Sequence, residues 1–305
     1  MSNRPAVAVG IDGSEQAFNA ATWALEAATL RHTTLDVVHS WAVPLPPIVL
    51  GHTPVWPADD RIRDAARVVL DDAVTRLQTT ASDTTINGVL YPGNPSAALL
   101  DAAERAALVV VGSSGLDRVA EFILGSVTQQ IVTHAACPVA VVPSYADIEP
   151  GPAAGRVVVG IDGSELSVDA TRLAFEEASL RRVGLTLLHA WNAPSYDTAG
   201  VVMPDTLLLE AAHSDELRAM AETVAGLAAT YPDVEVNQLL RQGRPAKVLA
   251  DASRGATLVV VGSRGHGGFA SMLLGSTSRS LLHHARCPVL VVRPGTGTHP
   301  VGSAR

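Results

Sequence analysis

Val259-Val-Val-Gly262-Ser-Arg-Gly265-His-Gly-Gly-Phe-Ala-Ser-Met-Leu-Leu-Gly275-Ser276 is the stretch on which the reading of this chain turns. It has the pattern of a buried strand, a glycine-rich loop and the start of a helix. Its glycines fall in the spacing G-x2-G-x9-G-S. Glycine lets a backbone come close to a ligand with no Cβ in the way. The first amides of the following helix lack intrahelical partners and carry the positive end of the helix dipole. Such a terminus is an anion site, and phosphate is its commonest occupant. A plain tight turn would use one glycine, or two.

The stretch occurs twice. Val109-Val-Val-Gly112-Ser-Ser-Gly115 and Leu124-Gly125-Ser126 repeat the spacing 150 residues earlier. The same offset relates Gly10-Ile-Asp12-Gly-Ser14 to Gly160-Ile-Asp162-Gly-Ser164, and His39-Ser-Trp41 to His189-Ala-Trp191. It also relates Pro95 to Pro245, Asp101 to Asp251, and Cys137-Pro-Val139 to Cys287-Pro-Val289. Solenoid repeats run roughly 20–50 residues, so a period this long marks a duplicated domain.

Working outward, Ala6–Ile11 is expected as the first strand. Ser14 then caps a helix over Glu15–Leu30 that places Ala20, Ala21, Ala24, Ala27 and Ala28 at helical spacing. Leu35–Trp41 reads as the second strand, and Pro44–Pro57 as a proline-rich loop. A helix over 59–77, a weaker strand over Thr84–Tyr91 and a helix over Ser96–Ala106, opened by Pro95, follow. Leu108–Gly112 is the fourth strand, Ser126–Ala135 a helix, and Val139–Val142 the fifth strand. The second repeat follows the same course, with a long helix over 205–229. The expected domains are 1–143 and 156–293, joined by a linker at 144–155 and followed by a disordered tail at 294–305.

Strands alternating with helices predict an α/β fold: two tandem Rossmann-like domains, each a doubly wound five-stranded parallel sheet with helices on both faces. In the order 3-2-1-4-5 the first and fourth strands are neighbours at the switch point, where ligands bind outside the carboxyl ends of the strands. Asp12 and Gly112 then meet at one crevice, and Asp162 and Gly262 at another.

Composition limits the function classes. At 305 residues, 47% of them hydrophobic, the chain can bury two cores, yet no apolar run approaches the roughly 18 residues of a membrane span. The mean hydropathy of +0.23 comes from short Val-rich runs and Ala-rich helices. The N-terminus leads directly into a strand without a signal-like apolar core, so a cytoplasmic location is expected. Net charge is −8 and Lys247 is the only lysine, which argues against a nucleic-acid-binding face. Cys137 and Cys287 read as small buried core residues; they are too few for a structural zinc site, and a cytosolic compartment disfavours a disulfide.

These motifs together resemble the universal stress protein family in its tandem, two-domain form. The resemblance rests on Val-Gly-Ile-Asp-Gly-Ser, Val-Val-Gly-Ser, both glycine loops and Cys-Pro-Val, in the same order twice. It covers about residues 5–143 and 156–293, and it implies the fold just derived with ATP, accompanied by Mg2+, in the crevice. Gly10 and Asp12, with Gly160 and Asp162, are similar to the turn and the acidic residue beside the nucleotide. Ser40 and Ala190 match the backbone position that reads adenine. Val111 and Gly112, with Val261 and Gly262, match contacts near the ribose. Gly115, Gly125 and Ser126, with Gly265, Gly275 and Ser276, match the phosphate cradle. Val127, Thr128, Thr277 and Ser278 extend it through amides and hydroxyls. Asp12 could equally satisfy free amides at its own helix start. Trp41 and Trp191 could stack on adenine or pack beneath a loop, and His39 and His189 read as structural.

The function this implies is a nucleotide-binding regulatory module in stress response, dormancy or growth control. The rival is an ATP-using enzyme of a related fold, down to slow hydrolysis or autophosphorylation; a partner-binding scaffold is the third reading. No Walker lysine, Ser-Gly-Gly-x-Asp-Ser loop or Ser-His-Asp set accompanies the glycines. The repeats are expected to pack through their last strands and two chains to form a homodimer. Gly262→Val and Gly275→Val are each expected to abolish a site while the fold is retained. Arg264 in one loop and Asp117 in the other predict tighter binding in the C-terminal repeat, by a margin that salt reduces.

Overall fold

The computed structural model describes residues 5–42, 58–81, 83–114, 124–144, 150–191, 221, 224–265 and 274–295. The expected proline-rich loop, most of the long helix at 205–229, Gly115, Asp117 and nearly all of the tail lie outside them. The chain divides into two compact units, Met1–Ser144 and Tyr145–Arg305.

The first unit runs β1 (Val7–Ile11), α1 (Glu15–Leu30), β2 (Leu35–Trp41), α2 (Ala58–Gln78), β3 (Ile86–Pro92), α3 (Pro95–Ala103), β4 (Leu108–Gly112), α4 (Ser126–His134) and β5 (Val139–Val142). The second runs β6 (Val157–Ile161), α5 (Glu165–Arg181), β7 (Leu185–Trp191), α6 (described at 224–230), β8 (Val236–Gln242), α7 (Pro245–Ala252), β9 (Leu258–Gly262), α8 (Ser276–His284) and β10 (Val289–Val292). The order in the first unit is β3-β2-β1-β4-β5, and in the second β8-β7-β6-β9-β10. Every strand pair within a unit is parallel: Val7 lies opposite Leu35 and Leu108, and Val157 opposite Leu185 and Leu258. Each unit is therefore the doubly wound α/β sheet in the order 3-2-1-4-5.

The central strands are Val-rich because both of their faces are covered. Val7, Val9, Val109, Val110, Val139 and Val142 are fully buried, as are Val157, Val159, Val259, Val260, Val291 and Val292. Each such side chain contributes roughly 1.5–3 kcal/mol. Alanines let α1 lie close on the sheet: Ala20, Ala21, Ala24, Ala27 and Ala28 have no exposed surface. Ser14 and Ser164 cap α1 and α5 by accepting the amides of Ala17 and Ser167, at 3.1 and 3.2 Å. Asn94 does the same for α3, where Pro95 occupies the first turn. Cys137 and Cys287 are buried, and burial pushes the Cys287 thiol up to about 12, so it is inert at neutral pH.

The third strand starts at Ile86 rather than Thr84, after the bend at Asp83, and α3 begins with Pro95 as expected but ends at Ala103 rather than Ala106. The second half of the segment read as a linker is folded onto the C-terminal unit. Gly151 N–H donates to Arg254 O and Gly155 N–H to Gly255 O, both at 2.8 Å, and Ala153 is fully buried. A Cβ on Gly151 would stand 2.8 Å from Asp251 O, so only glycine fits this approach.

Candidate functional site

The crevice of each unit lies where β1 and β4, or β6 and β9, leave the sheet side by side. In the first unit the chain leaves β1 through Asp12-Gly13-Ser14. Asp12 Oδ1 accepts the Ser14 amide at 2.9 Å, and Gly13 has φ +87°, a conformation that favours glycine. In the second unit Asp162 Oδ1 accepts the Ser164 amide at 3.1 Å and the Ser164 hydroxyl at 2.6 Å across Gly163, with φ +80°. Both carboxylates thus satisfy an amide at their own helix start. Asp162 does more: its Oδ2 stands where a Cβ on Gly265 would be, so the turn after β6 and the loop after β9 touch. The convergence of these two distant motifs is therefore physical in the second unit.

The far end of each glycine loop returns to its beginning. Gly125 N–H donates to Ser113 O at 2.9 Å, and Gly275 N–H to Ser263 O at 2.7 Å. Gly125 and Gly275 occupy the N-cap positions of α4 and α8 and have no side chain to cap them. The first-turn amides there are open to an anion or to water. Ser126 and Ser276 are exposed at this rim, with Val127 and Thr277 half-buried behind them.

Thr128 and Ser278 depart from expectation. Their hydroxyls point inward, donating to Gly112 O at 2.7 Å and Gly262 O at 2.6 Å, and both residues are buried. They tie each helix start to the end of its strand, leaving only their amides for the cradle. Val111 and Val261 are buried too, so any ligand contact from them is by backbone.

The glycines divide into two kinds. A Cβ on Gly10 would come within 2.7 Å of Leu99 Cδ1, and one on Gly160 within 3.1 Å of Leu249. Glycine there is demanded by α3 and α7. Gly112 would meet Gln16 Cγ at 3.3 Å, and Gly262 would meet Leu166 Cγ at 2.9 Å and Arg264 O at 3.0 Å. These two serve strand-to-helix packing, so Gly262→Val would strain the fold itself, contrary to the expectation that it would be retained. Gly125 and Gly275 are different. A Cβ would find only ordinary contacts, at 3.6 Å and 3.4 Å, on backbones of φ −59° and −69° that any residue adopts.

Ser40 and Ala190 are the penultimate residues of β2 and β7, one strand away from β1 and β6, and are half-buried. The preceding histidines are structural: His39 Nδ1 donates to Ile11 O at 2.9 Å and His189 Nδ1 to Ile161 O at 3.0 Å. Trp41 is half-buried and Trp191 is 37% exposed. One residue was missed by the sequence reading. Gln16, 3% exposed, reaches from the first turn of α1 to Ser113, Ser114 and Ser144. Its signal was available: an amide where the second repeat has Leu166.

Comparison with known proteins agrees with this architecture. The family model described as the universal stress protein family matches residues 4–143 and again 154–293. Two universal stress proteins of Mycobacterium tuberculosis are 38% identical over 297 residues and 37% identical over 299 residues. Each alignment covers 94% of this chain and 96% of the relative. A crystal structure of a universal stress protein from Archaeoglobus fulgidus superposes with a TM-score of 0.65 at 22% identity, covering 95% of this chain and 97% of that one, a likeness of fold. No described helix is long and apolar enough to cross a membrane. With the family's domain matched twice and relatives aligned over 94% of its length, the chain belongs to the universal stress protein family.

Proposed function

We propose that each unit binds ATP in its crevice and that nucleotide occupancy regulates the protein, with two chains forming a homodimer. The supporting observation is the pair of glycines at 125 and 275. The fold does not require them, yet they stand at uncapped helix starts against the first residues of the loop, Ser113 and Ser114 or Ser263 and Arg264. A glycine unneeded for packing or backbone conformation, at a site rich in open amides, fits close approach by phosphate oxygens. Gly265 and the described parts of both loops complete the cradle. Asp12 and Asp162 line it, and Ser40 and Ala190 offer backbone groups to the base.

Mg2+ keeps most of its oxygen ligands from water and substrate phosphates, taking one or two from the protein. The hard oxygens of Asp12 or Asp162, with Ser126 or Ser276, suit that role. When bound, the ion would neutralise phosphate charge beside the carboxylate. The residues themselves supply orientation: amides for the phosphates, and a carboxylate that admits a cation-bearing nucleotide in preference to a bare anion.

Mass spectrometry of small molecules released from freshly purified protein, with ATP calorimetry, tests the reading. ATP should bind at two sites per chain, and Gly125→Val or Gly275→Val should each weaken one of them on the order of a hundredfold with circular dichroism unchanged. No released adenine nucleotide and no calorimetric signal would refute it. Light scattering at micromolar concentration should give the mass of two chains; a monomer mass removes the homodimer.

A further inference from the structure

The two necks, where the glycine loops leave and rejoin the sheet, are built alike in backbone and differently in side chain. In the first unit the buried Gln16 amide joins three hydroxyls carried by two separate segments. Its oxygen faces the Ser113 hydroxyl at 2.6 Å and the Ser114 amide at 3.2 Å, while its nitrogen donates to the hydroxyls of Ser114 and Ser144 at 2.8 Å each. Ser113 and Ser114 begin the loop, and Ser144 follows β5. One side chain from α1 therefore fixes the start of the loop to both the helix and the end of the neighbouring strand.

In the second unit every member of this network but one is replaced. Leu166 stands for Gln16, Arg264 for Ser114 and Pro294 for Ser144. The remaining member, Ser263, is fully buried, and its hydroxyl has no hydrogen-bond partner among the described residues. A buried donor without a partner disfavours the arrangement that buries it, relative to any that gives it one.

We propose that Gln16 is a positioning residue that holds the N-terminal neck in its binding geometry, and that Leu166 leaves the C-terminal neck to be ordered by its ligand. The proposal rests on the nucleotide reading above and concerns how the two sites respond. The N-terminal site is pre-organised and binds with little rearrangement. The C-terminal site spends part of its binding free energy on ordering, the general cost that pre-organisation removes.

Amide hydrogen exchange in the full chain, resolved by residue, tests it. Without nucleotide, the amides of Ser114 and Gly125 should exchange about tenfold more slowly than those of Arg264 and Gly275, as one or two net hydrogen bonds imply. Gln16→Leu should remove that difference, and Leu166→Gln, which offers Ser263 a partner, should slow exchange in the C-terminal neck. On adding ATP, protection should rise more at Arg264 and Gly275 than at Ser114 and Gly125, and Gln16→Leu should abolish that inequality. Equal protection of the two necks in the native protein, or a Gln16→Leu variant with unchanged exchange, overturns the proposal. Exchange is read before nucleotide is added, so failure of ATP to bind would count against the proposed function and leave the clamp measurable. If Gln16→Leu does not fold, Leu166→Gln alone decides: no slowing at Arg264 overturns it.

Discussion

The N-terminal and C-terminal units share one fold and place polar groups in different parts of it. In the first, the buried polar cluster is at the crevice, around Gln16. In the second it is at the opposite end of the first helix, where Glu177, fully buried, pairs with Arg181 at 3.2 Å. The first unit has Ala27 at that position, and Arg31 donates instead to the Ala27 carbonyl at 3.0 Å. Duplication thus kept the backbone and exchanged where specificity is stored. Each unit thus places its buried side-chain polar contacts at a different end of its first helix.

The largest consequence belongs to the ion pair. Removing one partner of a buried pair leaves an uncompensated charge, so Glu177→Ala should destabilise the C-terminal unit by about 3–5 kcal/mol. Glu177→Ala with Arg181→Leu should recover most of that loss, because an apolar replacement leaves no orphan. Urea unfolding of the three proteins checks this; a single variant as stable as the double would mean the pair is not the anchor.

A smaller effect separates the two necks. Gly262→Ala puts a Cβ 2.9 Å from Leu166 Cγ and 3.0 Å from Arg264 O, whereas Gly112→Ala meets Gln16 Cγ at 3.3 Å and Ser114 O at 3.4 Å. Overpacking of this kind costs about 1–3 kcal/mol, and Gly262→Ala should take the larger share. Equal denaturation midpoints for the two variants would erase the distinction.

The smallest effect is electrostatic and opposes the clamp. Arg264 stands where the first unit has Ser114, and Asp117 stands where the second has Gly267. Charges near a triphosphate in high dielectric contribute on the order of 1 kcal/mol or less, and salt screens them. ATP titration of Gly125→Val and Gly275→Val proteins should find the affinity of the C-terminal site, relative to the N-terminal one, raised by a several-fold margin at low salt over its value at high salt. That margin should shrink as salt rises, because hydrogen bonds of the neutral Gln16 amide are not screened in the same way. A relative affinity independent of salt would show that the loop charges face away from the phosphates.

Much of this was legible in the chain. The offset of 150 residues announced two copies, and the alternation of Val-rich runs with Ala-rich helices announced a parallel sheet covered on both faces. These are local signals: periodicity, capping and turn residues act within a few positions, so they survive in one dimension. Asp12 and Asp162 as turn carboxylates, and Gly125 and Gly275 before a helix, could be read in the same way.

What each glycine is for could not be read. Gly10, Gly112, Gly160 and Gly262 look like the others in a spacing pattern, but the atom standing at each missing Cβ comes from a helix elsewhere in the chain. The inward turn of the Thr128 and Ser278 hydroxyls is decided by a strand carbonyl 16 residues away. Gln16 meets Ser113, Ser114 and Ser144 across separations of 97, 98 and 128 residues. The sequence determined which elements form and in what order, because that depends on neighbours along the chain. Only the tertiary structure decided which small or polar residue packs, which clamps and which stays open to a ligand, because that depends on neighbours in space.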